Sequence, residues 1–149
     1  MATMKAAVIH EAGGPEVLKI ESLPTPTPKN GEVLIRVKAF GLNRSELFTR
    51  QGHSPGVKFP RILGIEAVGV VEAAPGGEFR KGDIVATAMG GLGRQVDGGY
   101  AEYTCVPAKQ VQVIKTELPG KPSERSRRCY KRRGVRCSSR CASKKANVS

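Results

Sequence analysis

The sequence predicts a mainly β fold, an antiparallel barrel or sandwich with one short helix, followed by a basic tail without structure of its own. Three observations carry this. Short apolar runs alternating with polar residues recur through residues 4–114, separated by Gly- and Pro-rich turns. No segment with helical periodicity is long enough to cover a parallel sheet, which argues against repeating βαβ units. Composition then changes abruptly: residues 120–149 hold eleven Lys or Arg against the single acid Glu124, and no Leu, Ile, Phe, Met or Trp. Such a stretch buries too little apolar area to offset the entropy lost on ordering. The expected organisation is a folded domain over 1–118 and a disordered basic tail over 119–149.

Taken in order, Met4 to His10 reads as a strand, Gly13-Gly14-Pro15 as a turn, and Val17 to Glu21 as a half-buried strand. Pro24-Thr25-Pro26-Thr27-Pro28 is a stiff extended connector, and its missing donors keep it out of a central strand. Asn30-Gly31 suits a tight turn. Glu32 to Leu42 is the clearest strand, with Val33, Ile35, Val37 and Ala39 on one face and Glu32, Arg36 and Lys38 on the other. Asn43 then starts a helix of about two turns as its N-cap, with Glu46 three residues on as in a capping box, and Gly52 ends it.

Breakers from Gly52 to Pro60 make a loop. Ile62 to Ala74 reads as one long apolar strand whose Gly64 and Gly69 permit bending or close backbone approach. Turns at Pro75-Gly76-Gly77 and Phe79–Asp83 lead to the strand Ile84–Ala88. Gly90 to Gly99 reads as a mobile surface loop, Tyr100 to Val106 as a strand, and Val111 to Ile114 as the last strand after the Pro107–Gln110 connector.

The net charge of +12 suggests a nucleic-acid or membrane binder only until it is divided. The tail carries +10 of it, leaving 14 basic and 12 acidic residues in 1–119, an ordinary balance. No run approaches the roughly 20 apolar residues of a membrane span, and the N-terminal apolar run is too short for a signal peptide. Cys105 stands alone in the first part, as a small buried hydrophobe of a reducing compartment does. A soluble, cytoplasmic protein without a specific nucleic-acid or membrane partner is the expectation. In the tail, nonspecific polyanion binding through Arg and Lys is the alternative to an inert segment, while Cys129, Cys137 and Cys141 lack a fourth metal ligand.

Chemistry-bearing motifs are few. The run Met89-Gly90-Gly91-Leu92-Gly93-Arg94 lacks the third glycine, the following helix pattern and the Lys-Ser/Thr pair of phosphate cradles. His10 and His53 have no partners at metal-ligand spacing and read as surface residues. No Ser/His/Asp or Cys/His set can be assembled. What stands out is the stretch Glu32–Val71, where two apolar segments each carry one conspicuous polar residue, Asn43 and Glu66, around a polar connection. That pattern suits a cleft built on strand ends. The residues alone leave two readings open for both: site residues, or a helix cap and an acceptor at a strand bend.

Several stretches, in one order, carry a resemblance to a known family. They are Gly-Glu-Val-Leu-Ile-Arg-Val-Lys-Ala-Phe-Gly-Leu-Asn-Arg-Ser-Glu, Phe-Pro-Arg-Ile-Leu-Gly-Ile-Glu-Ala-Val-Gly-Val-Val-Glu, Phe-Arg-Lys-Gly-Asp-Ile-Val and Gly-Gly-Tyr-Ala-Glu-Tyr-Thr. Residues 4–118 resemble the N-terminal, GroES-like domain of the medium-chain dehydrogenase/reductase superfamily, nearest its quinone reductase branch. The resemblance implies a partly open barrel with one or two short helices. It implies the substrate side of an NADPH-dependent reductase acting on a quinone or activated alkene, often homodimeric through its cofactor domain. In zinc-dependent members a Cys and a His stand where this chain has Asn43 and Ile65, and the structural-zinc lobe has no counterpart, so no zinc is expected. By resemblance Asn43 lies at the nicotinamide and substrate, Phe48 forms an apolar wall where the branch often has Tyr, and Glu66 matches an acid beside the cleft.

The family continues into a Rossmann domain, whose glycine fingerprint does not occur here. The expectation from sequence is therefore an oxidoreductase half-domain inactive alone, with a tail that reads like a shifted frame or alternative splice.

Overall fold

The alternating pattern around Val33 and Ile35 folds as the period-2 rule requires: these side chains enter a dry core while Arg36 and Lys38 face solvent. The structure, a computed structural model, describes residues 2–115. The basic tail expected from residue 119 onward lies outside the described residues. The elements are β1 (Thr3–Ile9), β2 (Lys19–Pro24), β3 (Glu32–Ala39), α1 (Arg44–Arg50), β4 (Arg61–Ile62), β5 (Glu66–Ala73), β6 (Ile84–Ala88), β7 (Tyr103–Pro107) and β8 (Val111–Val113), with short 3-10 turns at Pro15–Val17 and Ala108–Gln110.

They form two antiparallel sheets, a three-stranded one in the order β2-β1-β4 and a five-stranded one in the order β7-β3-β5-β6-β8. The larger sheet curls into a partly closed barrel around Val33, Ile35, Val71, Val85, Leu92, Val106 and Val111, all buried. A second cluster, Met4, Ala6, Val8, Ile62 and Ala101, sits on the smaller sheet. Pro24 ends the edge strand β2, where a missing donor costs nothing. The mainly β expectation, with its single α-helix, is what the described residues show.

Two expectations change. The long strand over 62–74 is broken at Leu63-Gly64-Ile65, so that β4 pairs with β1 while β5 pairs with β3 and β6. The chain thus crosses from one sheet to the other. Gly64 makes the crossing possible: its φ of +109° suits glycine, and a Cβ there would lie 2.6 Å from the backbone nitrogen of Gly99. The displaced backbone is repaid by the opposite segment, since Gly98, Gly99 and Tyr100 donate their N–H groups to the carbonyls of Ile62, Gly64 and Leu63.

The glycine-rich segment beginning at Gly90 is likewise not a free surface loop. Leu92 is only 1% exposed and belongs to the barrel core, and Gly93 abuts Gly64. Its glycines serve close backbone approach, at three positive-φ positions in Gly90, Gly91 and Gly93. The segment 17–21 also differs: a 3-10 turn occupies Pro15–Val17, and the strand starts later, at Lys19.

Candidate functional site

The crossing at Gly64 brings the start of α1 against the segment Gly98–Tyr100, and the polar side chains of three distant stretches meet there. Asn43 is the N-cap of α1 with extended backbone, and it forms a capping box with Glu46. Asn43 N–H donates to Glu46 Oε2 at 2.5 Å, and the Asn43 side chain faces Glu46 N–H in return. The amide Nδ2 meanwhile turns toward Glu66 Oε1 at 3.2 Å, Glu46 Oε1 at 3.4 Å and Gly41 O at 3.5 Å. Gly41 is glycine for a packing reason, because a Cβ there would overlap the Glu66 carboxylate.

Glu46 is the centre of this knot. It is 3% exposed, and no Lys or Arg pairs with it among the described residues. Its charge is met by donors instead: Ile65 N–H at 2.8 Å and Tyr100 O–H at 2.7 Å, besides Asn43. It also sits in the first turn of α1, where the backbone N–H groups favour an anion. A buried carboxylate is tolerable only with such a set of donors. Tyr100 in turn packs its ring on Phe40, centroids 4.7 Å apart. Burial, then the bond to Glu46, then the charges of Glu46 and Glu66 hold the Tyr100 phenol above the ordinary tyrosine range.

A cavity of about 220 Å³ opens beside the knot, lined by Ser45, Ile65, Met89, Leu92, Arg94 and Gln95 with two glycines. Ser45 in the first turn of α1 and Ile65 just after the Gly64 crossing line two sides of it, and the segment Met89–Gln95 supplies the rest. Ile65, Met89 and Leu92 give it an apolar side, beside the polar Arg94 and Gln95. Ser45 Oγ is shielded from solvent and has no hydrogen-bond partner among the described residues. Met89, at φ +67°, is held in a conformation unusual for a non-glycine residue.

The structure therefore joins Asn43 to Glu66 but treats the third sequence-derived residue differently. Phe48 is 41% exposed, with the Arg44 guanidinium 5.6 Å from its ring centroid and His53 alongside, and does not line the cavity. His10 is an exposed surface residue bonded to Glu21 across β1 and β2. Glu46, Tyr100 and Ser45 were not singled out as site residues from sequence. The capping-box spacing flags Glu46, but only the fold reveals its other donors, 19 and 54 residues away.

Comparison with known proteins now bears on this geometry. Human quinone oxidoreductase is 38% identical over 119 residues, covering 77% of this chain and 35% of that protein. The crystal structure of the quinone oxidoreductase from Coxiella burnetii superposes with a TM-score of 0.71 at 28% identity, over 78% of this chain and 38% of that one. Mycobacterial Rv1454c, solved in complex with NADPH, gives 0.67 at 34% identity over 76% of this chain and 33% of that one. The chain spans about a third of the length of the curated relatives it matches. Among the described residues no helix is long and apolar enough to cross a membrane. Residues 29–117 match the alcohol dehydrogenase GroES-like domain, and the chain belongs to that family, within the medium-chain dehydrogenase/reductase superfamily.

Proposed function

We propose that this domain is the substrate side of an NADPH-dependent, zinc-independent oxidoreductase that reduces a quinone or activated alkene. The observation that carries the reading is the convergence of the α1 start and the Gly64 crossing on one cavity with an apolar side made by Ile65, Met89 and Leu92. A planar, apolar carbonyl compound suits walls made by Ile65, Met89 and Leu92. At about 220 Å³ the cavity is smaller than a complete ligand site, as expected of one wall of a two-sided cleft.

The nicotinamide, when bound, supplies the hydride, and the protein orients the partners and excludes water. In this reading Asn43, next but one to Ser45, and Glu66, next to Ile65, are bonded to each other and fix the shape of the backbone that carries Ser45 and Ile65. Absence of zinc chemistry is supported by the donor set: Asn43 and Ile65 occupy the two relevant positions, and among the described residues no group of three His, Cys, Asp or Glu could hold an ion. The sequence holds no glycine fingerprint for the dinucleotide, so the chain alone should bind NADPH negligibly by fluorescence titration; micromolar affinity would show that it holds the cofactor itself.

The cavity is tested by titrating the ¹⁵N-labelled chain with duroquinone, a fully substituted quinone that cannot alkylate Cys105. Amide shifts confined to Ser45, Ile65 and Met89–Gln95 are expected. Shifts elsewhere, or none at saturation, would remove the reading.

A further inference from the structure

We propose that Glu46 is the positioning residue of this site: its buried carboxylate ties the α1 flank of the cavity to the Ile65 flank from behind and helps set the orientation of the Asn43 amide. One oxygen, Oε2, accepts from Asn43 N–H and from Tyr100 O–H; the other, Oε1, accepts from Ile65 N–H and the Asn43 side chain. Asn43 lies two residues before Ser45, and Ser45 and Ile65 are the two lining residues outside the segment 89–95. The same group therefore grips both of these flanks without lining the cavity. The inference rests on the reading of that cavity as the substrate side, but the orientation of Asn43 can be measured without it.

A carboxylate does this where other acceptors do not. Both oxygens accept only, so each of the neighbouring donors has a lone pair to aim at. A glutamine has one oxygen and one NH₂ group, and the NH₂ necessarily faces a donor. With Glu46 in place, Asn43 Nδ2 lies among three acceptors, from Glu46, Glu66 and Gly41, which turns the amide one way round. Where the glutamine NH₂ takes the Oε1 position, one of these three acceptors is replaced by a donor and the preference of the amide weakens. The backbone N–H of Ile65 or of Asn43, according to which oxygen is replaced, loses its partner as well, so the two flanks are no longer in register.

The experiment uses the full 149-residue chain, ¹⁵N-labelled, as wild type and as Glu46→Gln, Glu46→Asp and Tyr100→Phe. In Glu46→Gln the Asn43 side-chain NH₂ resonances should shift and exchange with water about tenfold faster, and duroquinone affinity should fall about tenfold, the size of one charged hydrogen bond. Tyr100→Phe removes one donor that touches neither flank, and should leave both quantities near wild type. Should Glu46→Gln fail to fold, Glu46→Asp, whose carboxylate is drawn back by one methylene, should show the same two changes in a folded chain.

Unchanged Asn43 resonances in a folded Glu46→Gln or Glu46→Asp chain would overturn the proposal, as would an equal response in Tyr100→Phe. A wild-type chain that ignores duroquinone while the Asn43 response persists would sink the cavity reading and leave the positioning role standing.

Discussion

The barrel core and the knot beside α1 are held by opposite means. Seven aliphatic side chains fill the first, and none needs a particular partner. The second rests on one carboxylate and four hydrogen bonds from Asn43, Ile65 and Tyr100, each of which has direction. Apolar burial is roughly additive and forgiving of small shifts. A buried charge met only by hydrogen bonds is neither, since each lost donor leaves part of the charge uncompensated. The difference separates a region that makes the domain fold from one that fixes the shape of a particular surface.

The largest effect should come from the first region. Ile35 is fully buried, on β3 between β5 and β7. Ile35→Ala should cost about 3 kcal/mol through lost burial and the cavity left behind, measured by urea unfolding. It should leave the Asn43 and Tyr100 resonances in place wherever the chain remains folded. Disturbance of the knot at low denaturant would show that the two regions are one unit after all.

The same contrast explains what the sequence discloses. Val33 and Ile35 announce their strand because alternation is a local property, and β3 appears close to where it is expected. Glu46 announces only its local half, the capping-box spacing. Its bonds to Ile65 and Tyr100 depend on the crossing at Gly64, and that crossing depends on the carbonyls of Ile62, Leu63 and Gly64 meeting N–H groups some 35 residues later. An apolar run over 62–74 carries no mark of where it changes sheets, since both halves are equally apolar; Gly64 was the one hint. Leu92 hides for the reverse reason. It lies among glycines, and a single buried leucine in such a segment has no periodicity to reveal it.

A smaller effect tests the knot. Tyr100→Phe keeps the ring on Phe40 and on the smaller cluster, and removes only the O–H that reaches Glu46. The cost should be about 1.5 kcal/mol, that of a hydrogen bond to a charged acceptor. Combined with Ile35→Ala the losses should add to within about 0.5 kcal/mol, because the two residues share no partner. A larger coupling energy in that double-mutant cycle would break the separation argued above.

Cys105 sharpens the picture of the sheet's outer surface. It sits on β7 opposite Leu34, its Sγ 3.6 Å from Glu32 Oε2. Burial first, and then the Glu32 carboxylate, push its thiol up to about 12 from an ordinary value of 9.0. The fold thus favours the neutral thiol. Its contribution to stability is fully present below about pH 9 and is lost as the pH rises from there toward 12. Alkylation by iodoacetamide at pH 8, followed by peptide mapping, should be on the order of a hundredfold slower at Cys105 than in the urea-unfolded chain. Equal rates would mean that the outer face of the sheet is open to solvent.

The smallest expected effect lies between the two regions. Leu42 links β3 to α1 and is 83% exposed, and Leu47 and Phe48 of the adjoining helix are also partly exposed. It belongs to neither mode of stabilisation: it is absent from the barrel cluster, and its side chain carries no donor or acceptor for the knot. Leu42→Ser should therefore change unfolding free energy by less than about 0.5 kcal/mol, and leave the Asn43 resonances where they are. The exposed apolar side chains matter for contact with other molecules rather than for folding, so the same substitution should lower self-association in sedimentation velocity at high concentration. A destabilisation approaching that of Tyr100→Phe would mean that the β3–α1 link is itself packed, and that core and knot are joined through it.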